Sequence, residues 1–280
     1  MEYYSEVLPL IIKADQIIKN LFFSVTPLYK KDFPEGQDVT IPLFTTLHSF
    51  SESILILLQN CAFFEADILL RCVMEGTVKY CFLMNGTSEE RKEKYKEYKI
   101  VLTEISKLED HQKAVETINI LKEFSDNSTI PFEASVLPDE IFQALKQKYP
   151  ATTKNKFKRK WSYQNLLKEL AKTQTEYEAQ LGSISTYALT SHFTHFDWTG
   201  VSSMQEQIAL SPNNENVPFD VGHAVRIISN IVCFSVFRLM EYTRGNNFSS
   251  PETLKFSLEA IEFINNLDQR NNQILSRMNE

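Results

Sequence analysis

Two short stretches of the chain place polar and charged side chains at helical spacing among apolar residues. Arg71 and Glu75 are four positions apart, so they share one face of a helix. Tyr187, Ser191 and His195 follow one another in steps of four and form a stripe on a second helix. Because a buried charge without a partner is costly, we expect the two stripes to meet each other or a ligand.

These five residues could cleave RNA without a metal ion. The imidazole of His195 would exchange the proton of a 2′-hydroxyl or of a leaving oxygen, and the guanidinium of Arg71 would hold the phosphate bidentately. Glu75 would orient the arginine or the histidine, while Tyr187 or Ser191 donates to phosphate oxygens. The alternative is a buried structural network, in which Arg71 pairs with Glu75, and Tyr187 and His195 tie helices together.

Metal chemistry has less support in the sequence. His192 and His195 form a His-x-x-His pair close to Asp197, which could supply part of a metal site. A di-metal site in a helical bundle would use Glu-x-x-His pairs from two helices, and that motif is absent from the chain. Glycine-rich phosphate loops, Gly-x-Ser-x-Gly elbows and His-Glu-x-x-His zinc helices are absent as well. We therefore predict no metal and no cofactor.

A basic run between Lys154 and Trp161 stands out in an otherwise acidic protein, with five positive charges and two aromatic residues. It could hold phosphates while Phe157 or Trp161 stacks on a base. The alternative is a solvated loop before a capped helix, with Trp161 in the core. The candidate nucleic-acid-binding residues are Lys156, Lys158, Arg159 and Lys160.

Composition predicts an all-α protein. The 280 residues are 43% hydrophobic and include only 7 glycines, which favours helices over turn-rich sheets. A net charge of −7 argues against a protein that coats nucleic acid or an anionic membrane through its overall field. Any contact with RNA or a nucleotide must therefore be local.

The chain shows no sequence signal for export or for a membrane. Its N-terminus lacks the pattern of a signal peptide, and polar or charged residues interrupt the most apolar windows at Gln59, Arg226 and Arg238. The four cysteines have neither Cys-x-x-Cys nor zinc-finger spacing and lie among apolar residues. We expect them to be buried thiols in a reducing cytoplasm, and we expect a soluble, cytoplasmic protein that does not bind membranes.

Hydrophobic periodicity predicts a multi-helix bundle in one helical domain, 1–280. Its parts are an N-terminal helix and loop (1–40), core helices (41–86 and 183–245), a charged peripheral insertion (87–160) and a C-terminal helix (251–277). A loop is expected at 149–153 and an excursion at 201–217, with a brief extended piece at 207–210. Thr87 and Glu90 can form a capping box at the start of the charged helix, and His111 is expected to be solvated. The predicted helices are about 3–25, 42–59, 62–85, 88–125, 139–149, 163–180, the short helix of the Tyr187 stripe, 218–243 and 251–277.

The stretch Glu65-Ala66-Asp67-Ile68-Leu69-Leu70-Arg71-Cys72-Val73-Met74-Glu75, followed by Tyr187-x-x-x-Ser191-x-x-x-His195, resembles a prokaryotic family catalogued as domain of unknown function 5677. That pattern is an Ala-x-x-Leu-x-Arg-Ser-x-x-Glu helix, a variable charged middle and a Tyr-x-x-Ser-x-x-x-His-like helix. Cys72 stands where a small hydroxyl residue is common. The resemblance spans roughly residues 45–240.

The resemblance implies a bundle with a core like that of the HEPN domains (higher eukaryotes and prokaryotes nucleotide-binding), many of which are ribonucleases in toxin–antitoxin and anti-phage systems. Those nucleases carry Arg and His on one helix at Arg-x(4 to 6)-His spacing, whereas here the arginine, Arg71, would come from another helix than His195. The first hypothesis is therefore a defence or toxin effector that cleaves RNA or a nucleotide. It would act with a partner protein of the same system.

The second hypothesis is a non-catalytic helical interaction or regulatory protein whose polar stripes are structural. The long apolar helices at 218–243 and 251–277 would suit the interface of a homodimer, although burial within one subunit explains them as well. A homo-oligomer, with a dimer favoured, is expected on either hypothesis.

Overall fold

The computed structural model describes residues 2–25, 36–124, 130–195, 197–210 and 217–278. Throughout these ranges the regular structure is helical and no strand occurs, which confirms the all-α prediction. The helices are α1 (Glu2–Phe23), α2 (Gln37–Gln59), α3 (Phe63–Met84), α4 (Ser88–Lys96), α5 (Leu102–Lys122), α6 (Ile130–Glu133), α7 (Asp139–Lys148), α8 (Ala151–Lys160), α9 (Tyr163–Thr173), α10 (Ser183–His195), α11 (Trp198–Leu210), α12 (Val217–Gly245) and α13 (Pro251–Met278).

The helices divide into two compact units. The first unit contains residues 1–86 and 167–280, and the second contains residues 87–166. The boundary of the second unit falls inside α9. The charged insertion expected at 87–160 lies within this second unit.

Helix α3 is the centre of the first unit. It packs against α2, α10 and α12, while α12 also packs against α1 and α13. The sequence explains this position, because α3 is apolar on nearly every face and such a helix must be covered on several sides. Gly76 permits the close approach of α2: a Cβ atom added there would lie 2.4 Å from Cδ2 of Leu47.

The ends of α3 follow local sequence signals. Asn60 and Cys61 form the turn before the helix, and Cys61 adopts a left-handed backbone with φ of 55°. Gly86, with φ of 91°, follows its C-terminal end. The predicted capping box is confirmed, since the Thr87 side chain accepts from Glu90 N and the Glu90 carboxylate accepts from Thr87 N.

The second unit is more polar, as expected. Helices α4 and α5 are continuous through a π-helical turn at Glu97–Val101. Two other expectations for this unit are wrong. His111 is buried instead of solvated, because its Nδ1 accepts from the backbone N of Leu137 at 2.9 Å and its ring packs on Phe142. The basic run is helix α8 instead of a loop, so only 149–150 of the loop expected at 149–153 is non-helical.

Two further expectations fail in the first unit. The piece at 207–210, expected to be extended, is the last turn of α11, while residues 211–216 lie outside the described part of the chain. The thiols are not all buried: Cys61 and Cys72 are exposed, Cys233 is half-buried and only Cys81 is fully buried. Apolar neighbours in sequence do not determine burial at Cys61 and Cys72, because both thiols face away from the packed side of the chain.

Two helical segments are long and apolar enough to cross a membrane by composition: Asp38–Gln59 and Phe219–Gly245. Packing inside the protein buries 39% and 67% of their most apolar windows, respectively. The core helix of a soluble protein has the same composition, so length and hydropathy alone do not distinguish the two cases.

His48 joins α2 to α1 in an apolar setting. Its ring stacks on Phe22 with 4.1 Å between the centroids, and only 8% of the residue is exposed. Burial lowers the pKa of His48 to about 4, and the nearby positive charge of Arg238 acts in the same direction. The imidazole is therefore neutral in the folded protein at neutral pH.

We predict that His48 makes the fold acid-sensitive. The unfolded chain takes up a proton near pH 6.5, whereas the folded chain does so only near pH 4, so stability falls as the pH is lowered between these values. Wild type should lose about 3 kcal/mol more than His48→Gln over this interval. Urea unfolding at several pH values measures the difference. If the unfolding free energies of the two proteins changed with pH in parallel, burial would not lower the pKa of His48.

Candidate functional site

The candidate site lies where α10 crosses α3. Phe193, near the end of α10, packs edge-on against Phe64, near the start of α3, with 5.1 Å between ring centroids. Tyr187, one and a half turns earlier on α10, contacts Arg71, two turns later on α3. The two helices are therefore antiparallel, and the two polar stripes found in the sequence face each other over part of their length.

Arg71 is attached to Tyr187 in three ways. Its Nη1 donates to the backbone oxygen of Tyr187 at 2.8 Å, and its Nη2 donates to the phenolic oxygen at 3.0 Å. The guanidinium carbon also lies 3.9 Å from the centroid of the Tyr187 ring, which is a cation–π contact. One side chain thus holds both the backbone and the ring of a residue 116 positions away.

Glu75 completes this group, which we call the Arg71–Tyr187–Glu75 junction. The Tyr187 hydroxyl donates to Oε2 of Glu75 at 2.8 Å, and Nζ of Lys79 donates to Oε1 at 2.6 Å. Burial raises the pKa of Glu75, but the bonds from Lys79 and Tyr187 and the charge of Arg71 outweigh burial, so the net pKa is lowered. Glu75 is therefore ionised at neutral pH, and each of its oxygens has a donor.

Ser191 and His195 lie apart from this junction. Within the described part of the chain, neither side chain forms a hydrogen bond with Arg71, Glu75 or Tyr187. His195 is exposed and lies two turns beyond Tyr187, about 12 Å along the helix axis. The structure brings together three of the five predicted site residues, and a phosphate shared by Arg71 and His195 stays a prediction.

A second polar group lies at the C-terminal end of α10. Nδ1 of His192 is 2.5 Å from Oδ2 of Asp197, and Oδ1 of Asp197 accepts from the backbone N of Gly200 at 3.1 Å, capping α11. The bond to His192 is the largest of the contributions that lower the pKa of Asp197. Nε2 of His192 has no partner among the described residues, and the His192 side chain is 41% exposed.

Gly200 is required for this geometry. A Cβ atom at position 200 would lie 2.5 Å from the backbone oxygen of His192 and 2.7 Å from its carbonyl carbon. Only glycine lets the start of α11 approach the end of α10 so closely.

The sequence suggested His192 and Asp197 as part of a metal site. In the described ranges, however, no cluster of three or more His, Cys, Asp or Glu residues could hold a metal ion.

The basic run is partly neutralised within the second unit. Nζ of Lys158 is 2.7 Å from the Glu109 carboxylate, and Nζ of Lys160 is 2.6 Å from that of Glu97. Trp161 is buried and donates to Glu97 at 3.0 Å. The indole therefore cannot stack on a base, whereas the side chains of Lys156 and Arg159 are exposed.

Sequence reasoning missed a buried charge cluster one turn before Arg71. Asp67, 1% exposed, is 2.6 Å from Nε2 of His223 and accepts from Nη2 of Arg226 at 2.7 and 3.0 Å. Burial raises the pKa of Asp67, but its bonds to His223 and the charge of Arg226 outweigh burial and lower the net pKa. The available signal was His223-x-x-Arg226 on the longest apolar helix, facing an acidic residue on another buried helix.

A further group of buried polar side chains joins α3 to the C-terminal part of α12. Arg238, 2% exposed, donates to the hydroxyls of Thr77 and Ser235 at 2.8 Å each. One turn later, Glu241 accepts from the Tyr177 hydroxyl at 2.9 Å, and burial raises the pKa of its carboxyl group. These groups fix α12 against its neighbours.

Fold and site define an all-α helical bundle in which buried polar side chains on a central helix hold the surrounding helices. Residues 37–207 match the model of a family of unknown function, DUF5677. This match covers more than half of the chain, so the protein belongs to that family. No curated protein and no solved structure matches the chain.

We predict that the Tyr187 hydroxyl stabilises the junction. Tyr187→Phe removes an acceptor from Arg71 and a donor from Glu75, both of them partly buried, and should cost about 1–2 kcal/mol of unfolding free energy. Urea unfolding at neutral pH measures it. Tyr98→Phe is the matched control, because Tyr98 packs on Trp161 through its ring and should change stability by less than about 0.5 kcal/mol. Equal stabilities of both variants would contradict the assigned bonds.

We predict a larger effect at Asp67. Asp67→Asn leaves Arg226 and His223 without their carboxylate and should cost about 3 kcal/mol, compared with less than about 1 kcal/mol for Asp15→Asn in an exposed pair with Lys19. Since the pKa of Asp67 is lowered by folding, its contribution is present at neutral pH and is lost as the pH falls through the folded pKa, below 3.8. The difference in unfolding free energy between wild type and Asp67→Asn, measured by urea unfolding, should therefore become smaller in acid.

Proposed function

We propose that the protein is an effector of a bacterial defence or toxin system that cleaves RNA or a nucleotide phosphodiester without a metal ion. Acid–base chemistry would come from the exposed end of α10. The arrangement of His192 and Asp197 is the observation that supports this proposal, because an imidazole with one nitrogen held by a carboxylate and the other available is a suitable general base.

The two histidines would divide the proton transfers. Asp197 keeps the proton of His192 on Nδ1, so Nε2 can accept the proton of the attacking 2′-hydroxyl. His195 lies one turn later on the same helix, about 5–6 Å away between Cβ atoms, and in its protonated form would give a proton to the leaving 5′-oxygen. The 2′-oxygen then bonds to phosphorus, the bond to the 5′-oxygen breaks, and a cyclic phosphate remains.

In this proposal Arg71, Glu75 and Tyr187 are positioning residues. Arg71 directs two of its donors at Tyr187, so its first role is to hold α10, which carries both histidines. Ser191, directly before His192 on α10, is half-buried and keeps its proposed role as a donor to phosphate oxygens. Lys156 and Arg159, exposed on α8, stay candidates for contact with the nucleic acid. A HEPN-like core, a cytoplasmic location and a partner protein from the same system belong to the same proposal.

The second candidate is a non-catalytic helical interaction or regulatory protein. One observation favours it: the junction closes on itself, since Arg71, Tyr187, Glu75 and Lys79 satisfy one another without a ligand. On this hypothesis the polar stripes select one packing of the helices, and the surface carries the function.

We predict cleavage of total RNA by the wild-type protein in EDTA, with cyclic phosphate ends, and slower growth of host cells that express it. His192→Gln and His195→Gln should each lower the cleavage rate by about 10²–10⁴-fold, the usual contribution of a general acid or base. Thr194→Ala is the matched control, because Thr194 lies between the histidines and is exposed but has no part in the proposed chemistry.

The same assay separates the two candidates. Thermal melts first establish that each variant is as well folded as wild type. A folded wild type that neither cleaves RNA nor slows growth would favour the non-catalytic candidate. Cleavage that survives both histidine substitutions would contradict the assignment to α10.

A further inference from the structure

The outer face of α13 carries a short apolar stripe that the fold leaves uncovered. Leu254, Leu258 and Ile261 are 60%, 58% and 44% exposed, and their spacing of four and three repeats the pattern of a two-helix seam. The side of α13 that faces the protein is separate and carries the buried residues Thr253, Ala260, Phe263 and Leu267. α13 therefore has one apolar face for its own core and a second one for another surface.

Charges beside the stripe favour a second copy of the same helix. Lys255 and Glu262 are exposed, seven residues apart on the same flank, and neither forms an ion pair in the described part of the chain. Glu259, by contrast, is paired with Lys13 of the same chain. If two α13 helices run antiparallel with Leu258 against Ile261 of the other copy, Lys255 of each copy faces Glu262 of the other.

We propose that the protein forms a two-fold symmetric dimer through antiparallel contact of these α13 stripes. Each copy supplies the same surface, so every contact occurs twice: two Leu258–Ile261 contacts in the centre and two Lys255–Glu262 ion pairs at the rim. This dimer is independent of the proposed cleavage chemistry. Three helical turns bury less surface than a standard interface, so the dimer is weak and depends on concentration.

Charge reversal distinguishes a second copy from any other partner. Lys255→Glu brings two carboxylates together at each rim contact, and Glu262→Lys brings two ammonium groups together there, so each variant alone repels its own copy. In a mixture of the two variants, one copy carries two carboxylates and the other carries two ammonium groups, so both rim contacts of a mixed dimer join opposite charges. The mixture therefore restores the rim, and so does the double variant Lys255→Glu/Glu262→Lys, because both of its rim pairs are again of opposite charge.

The expected affinities follow from these rim contacts. Each single variant should bind itself about tenfold or more weakly than wild type, while the double variant should dimerise with about wild-type affinity. A partner other than a second copy would not recover its binding in the double variant, because its own charges stay unchanged.

Sedimentation velocity over a wide concentration series tests the proposal at low and at high salt. Lys172→Glu is the control, because this exposed lysine lies outside the stripe and should leave self-association unchanged. Leu258→Glu should abolish the dimer, and circular dichroism verifies the fold of each variant. A wild type that is monomeric at every concentration would overturn the proposal. A wild-type dimer that is unaffected by Leu258→Glu, or a folded double variant that fails to associate, would overturn it as well.

Discussion

The contact between Arg71 and Tyr187 determines where α10 lies. Only Thr190 and Phe193 of this helix are buried, so apolar burial contributes little to its attachment. The guanidinium of Arg71 supplies the missing attachment, because it binds the backbone, the hydroxyl and the ring of Tyr187. Arg71 lies on α3, which is itself fixed on several sides. His192 and His195 follow on the same rigid helix, and the start of α11 is held against it by Asp197 and Gly200.

The same principle recurs along α3. Asp67 reaches His223 and Arg226 on α12, Arg71 and Glu75 reach α10, and Thr77 accepts from Arg238 on α12. Each of these polar contacts forms in only one relative position of the helices, whereas apolar contacts tolerate sliding. Buried ion pairs add little net stability, since desolvation offsets their attraction, so their main effect here is to select one packing.

Sequence reasoning identified the helices and part of the site. Apolar residues at spacings of three and four located α3 and α12, and Thr87 with Glu90 located the start of α4, because these signals are local. It also put Arg71, Glu75 and Tyr187 in one site. It missed the partners of Asp67, because His223 is 156 positions away and only the packing of α3 on α12 brings the two together. For the same reason it treated His111 as solvated, although α7 covers it through Phe142.

The central claim is that Arg71 and Tyr187 are coupled energetically and thereby hold α10 on α3. A double-mutant cycle with Arg71→Ala and Tyr187→Leu measures this coupling directly from the unfolding free energies of four proteins. We predict an interaction energy of about 1–3 kcal/mol, the range for side chains in one hydrogen-bonded network. Effects that add to within about 0.3–0.5 kcal/mol, as independent sites do, would contradict the claim.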